Sequence, residues 1–187
     1  VTPRLPLIET ASLPEDQRWI APEHSHIFRT FVNSLPGLIR YRAMTKFIRE
    51  ENAVPDRLRE MALVQIGYVS NCAYEYTHHL KTALRVGVTP EDLHAIADDT
   101  DGLPTALDDL TKAVLRATRE ITLGFDISDE PFAKMHEALG NEQLMALLFS
   151  IVTYVGTVKL LLTLRVPLED AYQTYLQQYP IRLARTR

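Results

Sequence analysis

Between Leu144 and Leu164 the chain carries a stretch that, wound as a helix, is apolar nearly all the way round. Such a helix has no face to offer to water and needs cover on every side. Ser150, Thr153, Gly156 and Lys159 interrupt it, so no apolar run reaches the roughly 20 residues of a membrane span. It reads as a buried core helix, which commits the rest of the chain to surrounding it. No segment of useful length shows the alternating pattern of a half-buried strand, so helices must supply the cover. The expected fold class is all-α, a bundle of about eight or nine helices.

The other helices are legible from spacing and punctuation. The first 24 residues, with Pro3, Pro6, Pro14 and Pro22, read as an extended arm, because proline locks φ and removes a backbone donor. The arm hugs its own domain or wraps a partner subunit with Trp19 as anchor. A helical core over residues 25–178 follows, in a single domain spanning 1–187. Its expected helices run from about Ser25 to Asn33, Gly37 to Glu50, Asp56 to Val69, and Asn71 to Gly87. Next comes a short one capped by Thr89, with Pro90 in its first turn and Asp92 three residues after the cap. The remaining ones run from about Pro104 to Leu123, from a cap at Ser128 to Gly140, from Asn141 to Leu164, and from Leu168 to Gln178.

Composition narrows the function classes. The 187 residues carry a net charge of −4, which speaks against a nucleic-acid partner. Arg182, Arg185 and Arg187 read as a short solvated tail. Val1 to Thr10 lacks the charged-then-apolar pattern of a secretory signal. With one cysteine no intramolecular disulfide forms, so the cytoplasm is the expected compartment and no membrane partner is expected. There is no glycine-rich phosphate loop and no Gly-x-Ser-x-Gly elbow, which disfavours nucleotide-dependent and serine-hydrolase chemistry.

Chemistry concentrates in residues 60–79. On a helix starting near Asn71, Cys72, Glu75 and His79 stand at i, i+3 and i+7 and share one face. Cys72 falls in the first turn, where free amides and the helix dipole favour a thiolate. Glu75 can orient or deprotonate His79, and Glu60 reaches the same spot if the preceding helix packs antiparallel. Tyr74, Tyr76 and His78 are candidates to line the pocket. A thiol, an imidazole and two carboxylates can run proton transfer. A plainer reading stands beside this one: a buried cysteine as a small hydrophobe, and Glu75–His79 as a surface pair. The Cys-to-His spacing matches no closed zinc pattern, so neither a metal nor a cofactor is expected. His24, His26, His94 and His136 read as polar surface or capping groups.

The pattern Glu60-x11-Cys72-x2-Glu75-x3-His79-x7-Gly87 resembles the core of the carboxymuconolactone decarboxylase and AhpD-like alkylhydroperoxidase superfamily. Tyr74-Glu75-Tyr76-x-x-His79 is similar to the Tyr-Glu-Trp-x-x-His signature of its decarboxylase-like branch. Leu58-Arg59-Glu60 resembles a family helix start. His26-Ile-Phe-Arg29 resembles the family's lead-in, and Asn141 through Glu169 its last core helix and exit. The resemblance implies an AhpD-like helical fold and homo-oligomers, as dimers, trimers or hexamers. It also implies a site of Glu60, Cys72 and His79, with Glu75 where the peroxidase branch has its second cysteine. A thiol peroxidase of that type needs the missing resolving cysteine. Three functions follow. The first is cofactor-independent decarboxylation or isomerisation of a small carboxylated lactone or enol acid, with His79 as general acid and an arginine, Arg40 or Arg42, holding the carboxylate. The second is thiol-dependent peroxide reduction by Cys72. The third is a non-catalytic oligomeric binding protein.

Overall fold

A computed structural model describes residues 2–182. Among them there are eight α-helices and no strand: α1 His26–Phe31, α2 Leu35–Lys46, α3 Asp56–Val69, α4 Ala73–Arg85, α5 Pro90–Thr100, α6 Asp109–Leu123, α7 Asp129–Leu164 and α8 Gln173–Gln178. The expected all-α class holds, with differences at helix ends; the last helix, expected from Leu168, begins at Gln173 after a 3-10 turn over Asp170–Tyr172. The helix expected from Pro104 begins at Asp109, because the Asp108 carboxylate takes the Thr111 amide and hydroxyl and sets the cap there. The helices expected on either side of Gly140 abut without a loop; Gly140 (φ 67°, ψ −179°) breaks the path inside α7. Ser128 precedes α7 but does not cap it with its side chain, since its hydroxyl turns to Glu120. Thr89 does cap α5, in a reciprocal box with Asp92.

Helix α3 is the centre of the bundle. From Leu58 to Val69 every residue is buried, with α4, α6 and α7 packed around it. The turn into α4 is tight: Asn71 takes a left-handed φ of 50°, and the Cys72 amide donates back to the Gly67 carbonyl (3.0 Å). The two helices therefore run antiparallel and touch backbone to backbone at Gly67. A Cβ there would stand 2.5 Å from the Tyr76 nitrogen and 2.6 Å from its Cα. Glycine is required because a helix backbone, unlike a side-chain tip, cannot yield. This close approach sets the α3–α4 register that carries the site.

The C-terminal half of α7 buries Leu147, Ile151, Tyr154 and Val158 in the largest core cluster. Its other face is not covered within the chain: Met145, Phe149, Val152 and Leu160 are each about half exposed. By length and hydropathy α7 matches a membrane span, but 56% of its most apolar window is buried inside the bundle. The N-terminal arm hugs its own chain. The Arg4 amide bonds the Leu164 carbonyl and the Ile8 amide that of Arg29, while Ile20 and Ala21 pack with Val32 and Leu38. Trp19 stays exposed under the Arg42 guanidinium. Arg182 pairs with Asp98 (2.7 Å); Arg185 and Arg187 lie outside the described residues.

Candidate functional site

The antiparallel α3–α4 pair brings Glu60 opposite His79, nineteen residues apart in sequence. His79 Nδ1 lies 2.7 Å from Glu60 Oε2, and Nε2 lies 3.1 Å from Glu75 Oε1. The imidazole thus sits between two carboxylates, one from the neighbouring helix and one a turn earlier on its own. Glu60 is fully buried and Glu75 nearly so. Glu60 is held from behind by Arg59 (3.4 Å), which also pairs with Asp56 (2.8 Å). Glu75 Oε1 has no aligned hydrogen bond, so its approach to His79 is a charge contact that a ligand or a ring rotation can replace. Tyr154 of α7 packs edge-on against the imidazole (4.8 Å).

Electrostatics follow from this geometry. Burial alone would lower the pKa of His79, but Glu75 and Glu60 outweigh it and hold the ring up to about 10. Burial would raise Glu60, yet His79 and Arg59 keep it below its ordinary value. The site is therefore a buried imidazolium held by two carboxylates. Its neighbour His78 is the reverse case: burial, with the charges of His79 and Lys81, pushes it down to about 3. His78 is stacked between Tyr74 (4.2 Å) and Tyr172 (3.7 Å), with Nε2 3.1 Å from Glu169. Glu169 is anchored by the Tyr74 hydroxyl (2.8 Å) and the His26 amide (2.7 Å), both donating to Oε1.

A stability signature follows. His79 gains affinity for its proton on folding, from 6.5 to about 10. The stabilisation is complete below the unfolded value and drains away as pH rises towards the folded one. The melting temperature should fall between pH about 6.5 and about 8.5, below the ordinary thiol value of 9.0 at which Cys72 would add to the effect in the unfolded chain. His79→Gln should flatten that slope in a thermal melt; an unchanged slope would mean the imidazole is not charged in the fold.

Glu60, Glu75 and His79 line one cavity of about 280 Å³, together with Tyr74 and His78. Two of the expected residues do not. Cys72 occupies the cap of α4 with non-helical angles (φ −100°, ψ 92°), which takes it off the wheel that Glu75 and His79 share. Its side chain lies in the apolar core with Leu63 and Ile66, and burial pushes the thiol up to about 12. The thiolate expected from the helix N-terminus is thus overruled by desolvation. Tyr76 points away from the cavity and packs on Tyr68 in a second core cluster. Neither arginine expected at the carboxylate lines the cavity: Arg40 is exposed and bonds the Pro36 carbonyl, and Arg42 bonds that of Ile20. Arg49 and Arg85 line it instead, with His24 at its wall. Tyr41, Thr45 and Tyr154 also belong to the cavity, as do Glu169 and Tyr172; sequence spacing did not mark them. The i, i+4, i+8 spacing of Tyr41, Thr45 and Arg49 was the one available signal. Among the described residues no group of three or more His, Cys, Asp or Glu is arranged to hold a metal ion.

Comparison with known proteins agrees with this architecture. One solved structure, an alkylhydroperoxidase AhpD core described as an uncharacterized peroxidase-related protein from Ralstonia eutropha JMP134, superposes with a TM-score of 0.75. It covers 95% of this chain and 96% of its own at 16% identity, a likeness of fold. Among curated proteins none matches the chain. Residues 38–120, which hold Glu60, Glu75 and His79, match the model of the carboxymuconolactone decarboxylase family. Over residues 38–120 the chain is thus similar to the carboxymuconolactone decarboxylase family, and as a whole it has the fold of an AhpD core.

Proposed function

We propose that the protein is an enzyme of the decarboxylase-like branch, performing cofactor-independent acid–base chemistry on a small carboxylated lactone or enol acid. The observation that carries this reading is the imidazolium of His79 between Glu60 and Glu75 at the wall of the cavity. Loss of carbon dioxide from such a substrate leaves an enolate that must gain a proton at carbon. His79 supplies that proton from Nε2, the nitrogen facing Glu75. Glu60, backed by Arg59, holds Nδ1–H and keeps the ring oriented through the proton's departure and return. A bound anion that displaces the loose Glu75 contact takes its place opposite Nε2. Isomerisation uses the same parts, with Glu75 accepting a proton from one carbon and His79 returning it to another.

Thiol peroxidase chemistry has less support. The only cysteine is buried in the apolar core, lies off the cavity and holds its proton tightly, whereas the attacking species must be an accessible thiolate. The test is an assay of the purified protein against a panel of unsaturated lactone acids for carbon dioxide release or isomerisation, beside peroxide consumption with dithiothreitol. Turnover in the first assay and none in the second is expected. Peroxide consumption that disappears with Cys72→Ser would replace this reading with the peroxidase one, and silence in both would favour a binding protein.

A further inference from the structure

We infer that Arg49, carried to the cavity by a π-helical turn at the end of α2, is the residue that selects anionic over neutral ligands. This rests on the proposed acid–base reading for its consequence but not for its test. Helix α2 does not stop at Lys46; it continues as a π-helix over Phe47–Glu51. Asn52 holds the wide turn by donating to the Phe47 and Ile48 carbonyls. In a straight α-helix, residues at i, i+4 and i+8 drift by about 80° in all. A wider turn takes back part of that drift, so Arg49 stays in line with Tyr41 and Thr45 on the face that walls the cavity. Single π turns recur at functional sites for this reason: they re-aim one side chain without ending the helix.

Arg49 is free for a ligand. Among the described residues it makes no salt bridge and no side-chain hydrogen bond, whereas Arg29, Arg57, Arg59, Arg116 and Arg119 are each paired with a carboxylate. The cavity otherwise holds three carboxylates, Glu60, Glu75 and Glu169. Against them stand the His79 imidazolium, Arg85 and Arg49, so that without Arg49 the cavity's carboxylates outnumber its cations. The charge of Arg49 also reaches inward. It eases ionisation of the buried phenols Tyr41 and Tyr154, against burial, which dominates and raises both. Arg85 is the other cation at the cavity, but it ends α4. That puts it six residues, roughly 9 Å along the axis, beyond His79, and its charge bears on neither phenol. A planar guanidinium in a cavity also lined by Tyr41, Tyr74, Tyr154 and Tyr172 suits a carboxylate on a flat, unsaturated body about one ring in size, and 280 Å³ leaves room for little more.

The probe pair is benzoate and benzamide, equal in shape and different in charge, titrated calorimetrically into the full chain. The wild type should prefer benzoate. Charge-assisted hydrogen bonds of this kind are worth a factor of roughly 10–100 in affinity. Arg49→Gln should abolish the preference, Arg49→Lys should restore part of it, Arg40→Gln should leave it in place, and Arg85→Gln should weaken it less than Arg49→Gln. Circular dichroism of each variant checks that the fold is kept. A preference that survives Arg49→Gln, one that is lost with Arg85→Gln instead, or an absence of benzoate binding in the wild type overturns the inference. Because the readout is binding, it stands or falls apart from turnover: Arg49-dependent benzoate binding without carbon dioxide release would sink the proposed reaction alone.

Discussion

Replacing His79 by alanine should lower turnover by roughly 10²–10⁴-fold, the contribution of a positioned general acid–base group. The titratable groups beside it, His78 and Glu75, cannot take over. His78 is held neutral by burial and stacked between two tyrosines, and Glu75 alone lacks the second proton site of an imidazole. His79→Gln keeps much of the shape between the two carboxylates and should be nearly as inactive, which separates lost chemistry from lost packing. Cys72→Ser should leave most of the activity, because the thiol lies in the core away from the cavity. Steady-state rates on whichever acid the panel identifies, with folding checked by circular dichroism, decide the matter. If Cys72→Ser is the more damaging change, the order is reversed and the site works through sulfur.

Glu60→Ala should cost about 3–5 kcal/mol of stability in urea denaturation near neutral pH, the range for removing one partner of a buried ion pair. The carboxylate is fully buried and bridges Arg59 to His79. Its loss leaves Arg59 with only the exposed Asp56 and leaves the imidazolium with Glu75 alone. Against a typical total of 5–15 kcal/mol this is a large fraction. Glu60→Gln, which keeps an acceptor for Nδ1–H, should recover part of it. A loss below about 1 kcal/mol would mean that the buried pair is energetically neutral and that Glu60 is held there by the fold rather than stabilising it.

The two variants probe different parts of one device, and the device explains the shape of the α3–α4 pair. Gly67 lets the two backbones touch, and that contact fixes which residue of α3 stands opposite His79. A wider crossing would place the Glu60 carboxylate out of reach of a 2.7 Å contact. The core around it, with Tyr154 on the imidazole and Leu63 and Ile66 beneath, removes water that would otherwise weaken both charge contacts.

Much of this was legible without coordinates because it is local. Helical period, proline and glycine punctuation and the Thr89–Asp92 cap act over a few residues. They yielded α3, α4, α5 and the break at Gly140 close to where they stand. The Glu75–His79 spacing is likewise a one-turn relation that any helix enforces. Glu60 needed one further assumption, an antiparallel hairpin, and the short connection at Ser70–Asn71 made that the natural choice. The family pattern lies in the same stretch, so it was readable for the same reason.

Tertiary structure alone decided the rest. Whether Cys72 is a thiolate depends on burial, and a helix N-terminus that favours charge loses to a core that excludes water. Tyr76 and Tyr74, two residues apart, stand on different faces of α4, and the packing of neighbouring helices decided that only the Tyr74 face borders the cavity. Arg49, and not Arg40 or Arg42, lines the cavity; its i+8 spacing from Tyr41 was readable, but the π turn around it was not. Glu169 reaches Tyr74 across 95 residues of sequence. Local preference is written in spacing, whereas a cavity is a meeting of distant segments, and which side chains meet there is set by the packing of whole helices against one another.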